Sequence, residues 1–282
     1  MPRPRIPPAA AASTAVSTVA DPALDPGTDP DPLALAADAG RMVLEAGGET
    51  YRAESTFVRL CRSWSIPDAE CFATPTGLIA SGTCKDALSH AVVRRIIKRS
   101  VDLRRIARIA EETTKVERFG TNPDAFKRIL SSLREEKPYP FPAILVAAGA
   151  SATFFTLLFG GSVRDAIAAF FVGVGIKAVS SAASMNRFPD FIVNILGGAT
   201  AAALSSAAIM LGLADNLDKT VIGSIMQLVP GLATVNAIRD TIAGDLVAGV
   251  ARLTEAIMAA AAISMGAGFV LSISALITRF VA

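Results

Sequence analysis

Histidine is almost missing from this chain: His90 is the only one in 282 residues. That excludes any mechanism needing two histidines, H-E-x-x-H zinc sites included, and leaves His90 a structural residue. Cysteine is scarce as well. Cys61, Cys71 and Cys84 contain no C-x-x-C pair, so zinc ribbons and thioredoxin-like motifs are excluded and reduced thiols in a cytoplasmic domain are expected. There is no Walker A sequence, which argues against an ATP-driven pump, and no G-x-S-x-G elbow. Gly173 to Ala178 formally spells G-x-G-x-x-A, but it lies inside an apolar run with no strand before it, so the dinucleotide reading fails on context. No nucleophile–base pair and no cofactor motif is evident, and neither an enzyme nor a cofactor is expected.

Charge is also in short supply. Only 18% of residues are charged and 52% are hydrophobic, with mean hydropathy +0.48, whereas soluble domains carry about a quarter charged residues. The deficit is one-sided. Residues 1–140 hold 20 of the 27 Lys+Arg and 18 of the 25 Asp+Glu, so 141–282 hold seven of each. The two halves are built for different solvents. A net charge of +2, with bases and acids interleaved, excludes a nucleic-acid partner.

Residues 1–32, with eight prolines, read as a disordered tail; their Arg-led start and Ala-rich middle make a poor signal peptide. Residues 33–137 read as a small α/β domain: two helices over 33–66, one strand at 71–81, a second at SHAVVRRIIKR, then two polar helices. Beyond Lys137-Pro138-Tyr139-Pro140 the composition turns apolar. Five stretches approach the roughly 20 residues that cross a bilayer: 141–160, 164–184, 190–213, 219–238 and 256–278. The fold class is therefore an α-helical polytopic membrane protein of about five spans behind a cytoplasmic α/β domain. Residues 85–137 carry fourteen Lys+Arg against eight acids next to the first span. By the positive-inside rule the N-terminal domain is cytoplasmic and, with five spans, the C-terminus lies outside.

Polar groups inside apolar spans are functional candidates, because lipid penalises them unless they face protein, water or a partner charge. Lys177 is one, unless it snorkels to the interface. Asn186, Asp190 and Asn194 follow i, i+4, i+8 spacing and would share a helix face, with a helix cap as the plain alternative for Asp190. Gln227 precedes Pro230-Gly231, which break the fourth span and free backbone carbonyls. Beyond the break come Asn236, Arg239, Asp240 and Asp245. Arg239 suits a substrate carboxylate and Asp240 or Asp245 a proton; otherwise these charges line a cytoplasmic loop with Arg239 as a positive-inside anchor.

GGETYRAEST (47–56), CFATPTGLIAS (71–81) and above all LVPGLATVNAIRDTIAGDLVAGVARL (228–253) resemble the N-terminal, YjjP-like half of the threonine/serine exporter family, over about residues 33–280. The resemblance implies export of threonine and serine, or dicarboxylates such as succinate, driven by the proton-motive force across the cytoplasmic (inner) membrane. It also implies a separate small YjjB-like membrane protein as the second half, and functional weight on Pro230, Gly231, Asn236, Arg239 and Asp240. Arg52 and Glu54 would position the domain. A membrane-tethered regulatory or scaffolding protein is the alternative. It would tolerate polar-to-apolar replacement in the spans but not in the α/β domain.

Overall fold

The computed structural model describes residues 31–83, 88–136 and 139–281, with side chains to Leu276 in the last helix. Nearly all of the expected tail, and Cys84, lie outside the described residues. The chain divides into two compact units: Met1–Glu136 with Arg239–Gly249, and Lys137–Ile238 with Val250–Ala282. The architecture is the expected one, mostly helical with a small sheet ahead of apolar helices.

The first unit opens with α1 (Pro32–Glu45). Pro32 sits at the first turn, where its missing N–H costs nothing, and Asp31 caps the helix by accepting from Leu33 N at 3.0 Å. Helix α1 is buried on almost every side, Asp38 included. A buried carboxylate needs partners, and Arg94 Nε reaches Asp38 Oδ1 at 2.7 Å. Helix α2 (Thr50–Ser63) is amphipathic and turns Ala53, Phe57, Leu60 and Cys61 inward.

The single strand expected at 71–81 is instead a hairpin, β1 (Glu70–Thr74) and β2 (Gly77–Thr83), extended by β3 (Ser89–Arg95) in antiparallel order β1-β2-β3. Pro75 is the reason. Placed centrally it would remove a ladder donor, whereas at the corner its fixed φ helps the turn. Two polar helices follow. Helix α3 (Leu103–Phe119) is capped by Asp102 and stopped by Gly120 at φ 65; α4 (Pro123–Glu135) is capped by Asn122. Leu33, Leu35, Phe57, Leu78, Ile109 and Leu130 are fully buried among these elements, each contributing about 1.5–3 kcal/mol.

The second unit contains α5 (Phe141–Leu158), α6 (Val163–Met185), α7 (Asp190–Met210), α8 (Leu217–Ile225), the start of α9 (Gly231–Ala243) and most of α10 (Leu246–Val281). Among the described residues, α5, α6, α7 and α10 are long and apolar enough to cross a membrane. The stretch expected as a fourth span is different: it forms α8 and the first part of α9. Nine residues of α8 reach only about 13 Å, short of the roughly 30 Å hydrocarbon core. Pro230 has no N–H to continue the helix and Gly231 restarts it.

Small residues let these helices close on one another, as they must where lipid supplies no hydrophobic drive. A Cβ on Gly198 would stand 2.2 Å from Ile263 O, and one on Gly266 would stand 2.0 Å from Ile195 O, so α7 and α10 cross almost backbone to backbone. Similarly, α8 rests Gly223 on Thr156 of α5. Phe154, Ile167, Phe171 and Phe269 point outward and exposed, the pattern of a lipid-facing surface.

Candidate functional site

In the first unit the polar residues converge on the start of α2. Gly47, at φ 84, and Gly48, where a Cβ would meet Val43 Cγ1 at 2.6 Å, fold the chain sharply between α1 and α2. Glu49, the N-cap residue of α2, makes no side-chain cap bond. Asp240 takes that role from the far end of the sequence. Its Oδ1 accepts from Thr50 N at 3.3 Å and from Thr50 Oγ1 at 2.8 Å. A carboxylate there also suits the positive end of the helix.

Thr50 Oγ1 lies 3.0 Å from Asp245 Oδ2 as well. The hydroxyl has one hydrogen, so it donates to one carboxylate at a time. One turn on, Glu54 Oε1 accepts from Ala73 N at 2.8 Å. Burial, reinforced by Asp245 and Asp240, holds the Glu54 carboxyl above its usual range against the lowering effect of that bond. Burial, with Glu54 nearby, pushes the Cys71 thiol up to about 12.

Glu49 faces the opposite balance. Burial raises its carboxyl, but its own backbone N–H, Arg239 and Arg52 together bring it below the ordinary value. Arg239 Nη1 is 2.7 Å from Glu49 Oε1 and Arg52 Nε is 2.9 Å from Oε2. Arg239 is 55% exposed, so the pair fixes orientation more than it adds stability.

The second unit holds its own polar features. Asp165, wholly buried at the start of α6, accepts from Ser162 N at 2.8 Å, Asp215 N at 2.6 Å, and Asn216 N and Nδ2 both at 2.8 Å. These bonds tie the α5–α6 turn to the α7–α8 turn, where Arg164 also pairs with Asp215 at 2.8 Å and donates to Gly212 O. At the other end of α8, Gln227 Nε2 donates to Gly173 O at 3.3 Å and Ser224 O at 3.2 Å. Leu228 N then donates to Ile225 O and Gly231 N to Val229 O, both at 2.8 Å, so the chain turns tightly before α9.

The residues singled out by sequence therefore divide. Arg52, Glu54, Arg239, Asp240 and Asp245 meet in the first unit. Lys177, Asn186, Asp190, Asn194, Gln227, Pro230, Gly231 and Asn236 belong to the second. The anticipated row of Asn186, Asp190 and Asn194 does not form on one helix: Asn186 caps the C-terminus of α6, donating to Ala182 O at 2.8 Å, and Arg187 at φ 60 turns the chain before α7. Pro189 ahead of Asp190 is the cause, since it breaks the helical run. Asp190 is exposed, Asn194 half-buried and Asn236 buried. Arg239, expected to be open to a substrate carboxylate, is engaged by Glu49.

Sequence reasoning passed over Thr50, Glu49 and Asp165. For Asp165 a local signal existed, since Ser162 and Asp165 have capping-box spacing and form that box. Thr50 gave none, because its partners lie 190 and 195 residues away.

Four apolar helices of spanning length, a fifth element broken in two and a small α/β unit define a multi-pass membrane protein. A family model described as "Putative threonine/serine exporter" matches residues 34–274, and the chain belongs to that family. It is similar to a curated protein of Mycobacterium tuberculosis (strain ATCC 25618 / H37Rv) described as "Probable threonine/serine exporter", at 24% identity over 237 residues. The match covers 83% of this chain but 44% of the relative, so the chain spans less than half the relative's length. No solved structure matches.

Proposed function

We propose that the protein is one subunit of a secondary exporter of small polar metabolites in the cytoplasmic (inner) membrane. Threonine and serine are its first candidates and dicarboxylates such as succinate the next. Family membership supports the reading. So does one structural observation above the rest: the helix broken between Ile225 and Gly231 inside an otherwise continuous bundle, with the Gln227 amide in the break. Interrupted helices with free backbone ends are where secondary transporters hold solutes and ions. The chain's proposed partner, from the family resemblance alone, is a second, small YjjB-like membrane protein. The basic α/β unit lies in the cytoplasm and, with α8 and the start of α9 together making the fifth crossing, the C-terminus lies outside.

Coupling to the proton-motive force falls to the carboxylates around Thr50. One hydroxyl hydrogen serves Asp240 or Asp245, so a proton arriving at the other completes the set. Glu54 is already biased toward holding a proton by burial and by the charge of Asp245 and Asp240. The test is efflux of labelled threonine, serine and succinate from loaded cells making this chain with its partner. The expected result is efflux that stops when a protonophore collapses the gradient. Both proteins present in the membrane with no efflux above empty cells would overturn the reading.

A further inference from the structure

Between β3 and α3 the chain runs as an irregular segment held to the first unit by its backbone. Ile96 N donates to Thr76 O at 3.0 Å, Ser100 N to Glu45 O at 2.8 Å and Asp102 N to Ala46 O at 3.0 Å. Ile96 is buried, but the aliphatic side chains that follow it are not. Ile97 is 85% exposed, Val101 69% and Leu103 61%. Turning them inward would cost the segment these backbone bonds. Three large aliphatic side chains in one short run make a patch, unlike the scattered exposure common on soluble surfaces.

The charge around the patch is mostly of one sign. Arg95, Lys98 and Arg99 are exposed in the same stretch, and Arg104, Arg105 and Arg108 follow in α3. The neighbouring carboxylates are already engaged by bases. Asp102 lies 3.7 Å from Arg105, and Glu45 lies 3.7 Å from Arg41. Glu136 is shared between Arg104 at 3.6 Å and Arg108 at 3.3 Å. Position then decides what the patch meets. Glu136 precedes Phe141, the start of the first spanning helix, by five residues, a reach of at most about 18 Å. Glu45 and Ala46, which hold Ser100 and Asp102, end α1 just before Glu49 and Thr50, the partners of Arg239 and Asp240. At Arg239 the chain enters this unit for the second time, and after Gly249 it leaves again. The patch therefore lies at the end of the unit from which its connections to the apolar helices depart.

We propose that Ile97, Val101 and Leu103, with Arg95, Lys98 and Arg99, form a lipid-contact surface that lays this unit on an anionic bilayer. The aliphatic side chains enter the headgroup layer and the bases meet the phosphates. Apolar side chains interleaved with lysine and arginine are the composition by which interfacial elements bind. The positive-inside rule places this unit on the cytoplasmic side, and the cytoplasmic leaflet is the one that carries anionic lipid. A ligand is thereby added, anionic phospholipid, that is independent of the solute exported.

The experiment uses the full chain in nanodiscs of acyl-chain-brominated phosphatidylcholine, with or without phosphatidylglycerol. An added tryptophan, Ile97→Trp, is read through its quenching by the bromines, and wild type with Trp64 alone supplies the background. Quenching at position 97 should be strong with phosphatidylglycerol and weaker without it. Adding Lys98→Ala or Arg99→Ala to Ile97→Trp should lower the ratio of docked to undocked unit about fivefold, the worth of one base near an anionic surface. Added salt should lower it too. Val101→Trp should behave as Ile97→Trp does, so that one ill-placed ring does not decide the outcome. Quenching at both positions no greater than the Trp64 background overturns the proposal. So does quenching indifferent to phosphatidylglycerol, salt and the alanine variants. Tryptophans shielded from brominated lipid and from aqueous acrylamide alike would mean that a protein covers the patch, and would overturn it as well. The discs carry the same lipid on both faces and no solute is measured, so none of these results bears on the exporter reading, which efflux tests separately.

Discussion

Asp240→Ala probes whether a residue from the apolar half of the sequence holds the start of α2. Its Oδ1 accepts a hydroxyl at 2.8 Å and a backbone N–H at 3.3 Å from Thr50, in a fully buried position. A hydrogen bond to a charged acceptor contributes about 1.5–3 kcal/mol and the longer amide bond about 0.5–1 kcal/mol. Two effects reduce the loss. The Thr50 hydroxyl can turn to Asp245, already 3.0 Å away, and the variant no longer buries a carboxylate. The net cost is about 1–2 kcal/mol, a fall of about 4–8 °C in midpoint for a domain of about a hundred residues.

The protein carries its own reporter for this unit. Trp64 is the only tryptophan; its ring meets Phe126 edge-on at 5.5 Å and its Nε1 donates to Thr121 O at 3.0 Å. Unfolding of the full chain followed by Trp64 fluorescence should show the fall. Asp240→Asn, which keeps an acceptor oxygen, should lose less than half as much. An Asp240→Ala midpoint indistinguishable from wild type would refute the capping role and the assignment of Arg239–Gly249 to this unit.

Further outcomes follow from the same geometry. Glu54 is held above the usual value of 4.5, so its contribution to stability is complete below that pH and is lost as pH rises through the folded value; Glu54→Gln should flatten that decline in a Trp64 unfolding series above pH 4.5. Glu49 is held below the same value and acts with opposite sign: its contribution is present above pH 4.5 and is lost as pH falls through the folded value, so Glu49→Gln should cost more stability at neutral pH than in acid. Gly198→Ala places a methyl 2.2 Å from Ile263 O and should cost about 1–3 kcal/mol, read as a lower midpoint in far-UV circular dichroism; a neutral result would show that α7 and α10 can separate freely. Asp165→Ala strands four donors and should cost about 2–4 kcal/mol, with limited proteolysis cutting the α5–α6 and α7–α8 turns faster than in wild type.

Most of the architecture was legible because it depends on short-range pattern. The switch in composition at Lys137, the run lengths of α5, α6 and α7 and the caps at Asp31, Asp102 and Asn122 are all local. Hairpin and strand share the same β-branched composition, and only the meaning given to Pro75 separates them. The break in the fourth stretch was legible for the same local reason: Pro230 lacks the N–H that would continue a helix, and 219–238 divides there into α8 and the start of α9.

What the sequence by itself determined is solvent preference: which stretches belong in lipid, which in water, and where a helix must stop. Those outcomes follow from transfer free energies and backbone chemistry that act residue by residue. Only the tertiary structure decided the company each polar group keeps. Arg239, Asp240 and Asp245 join Glu49, Thr50 and Glu54 across about 190 positions of chain, while Asn186 leaves the row its spacing suggested. A hydrogen bond forms wherever folding brings a donor within about 3 Å of an acceptor, and periodicity along one helix carries no record of which distant surface arrives there.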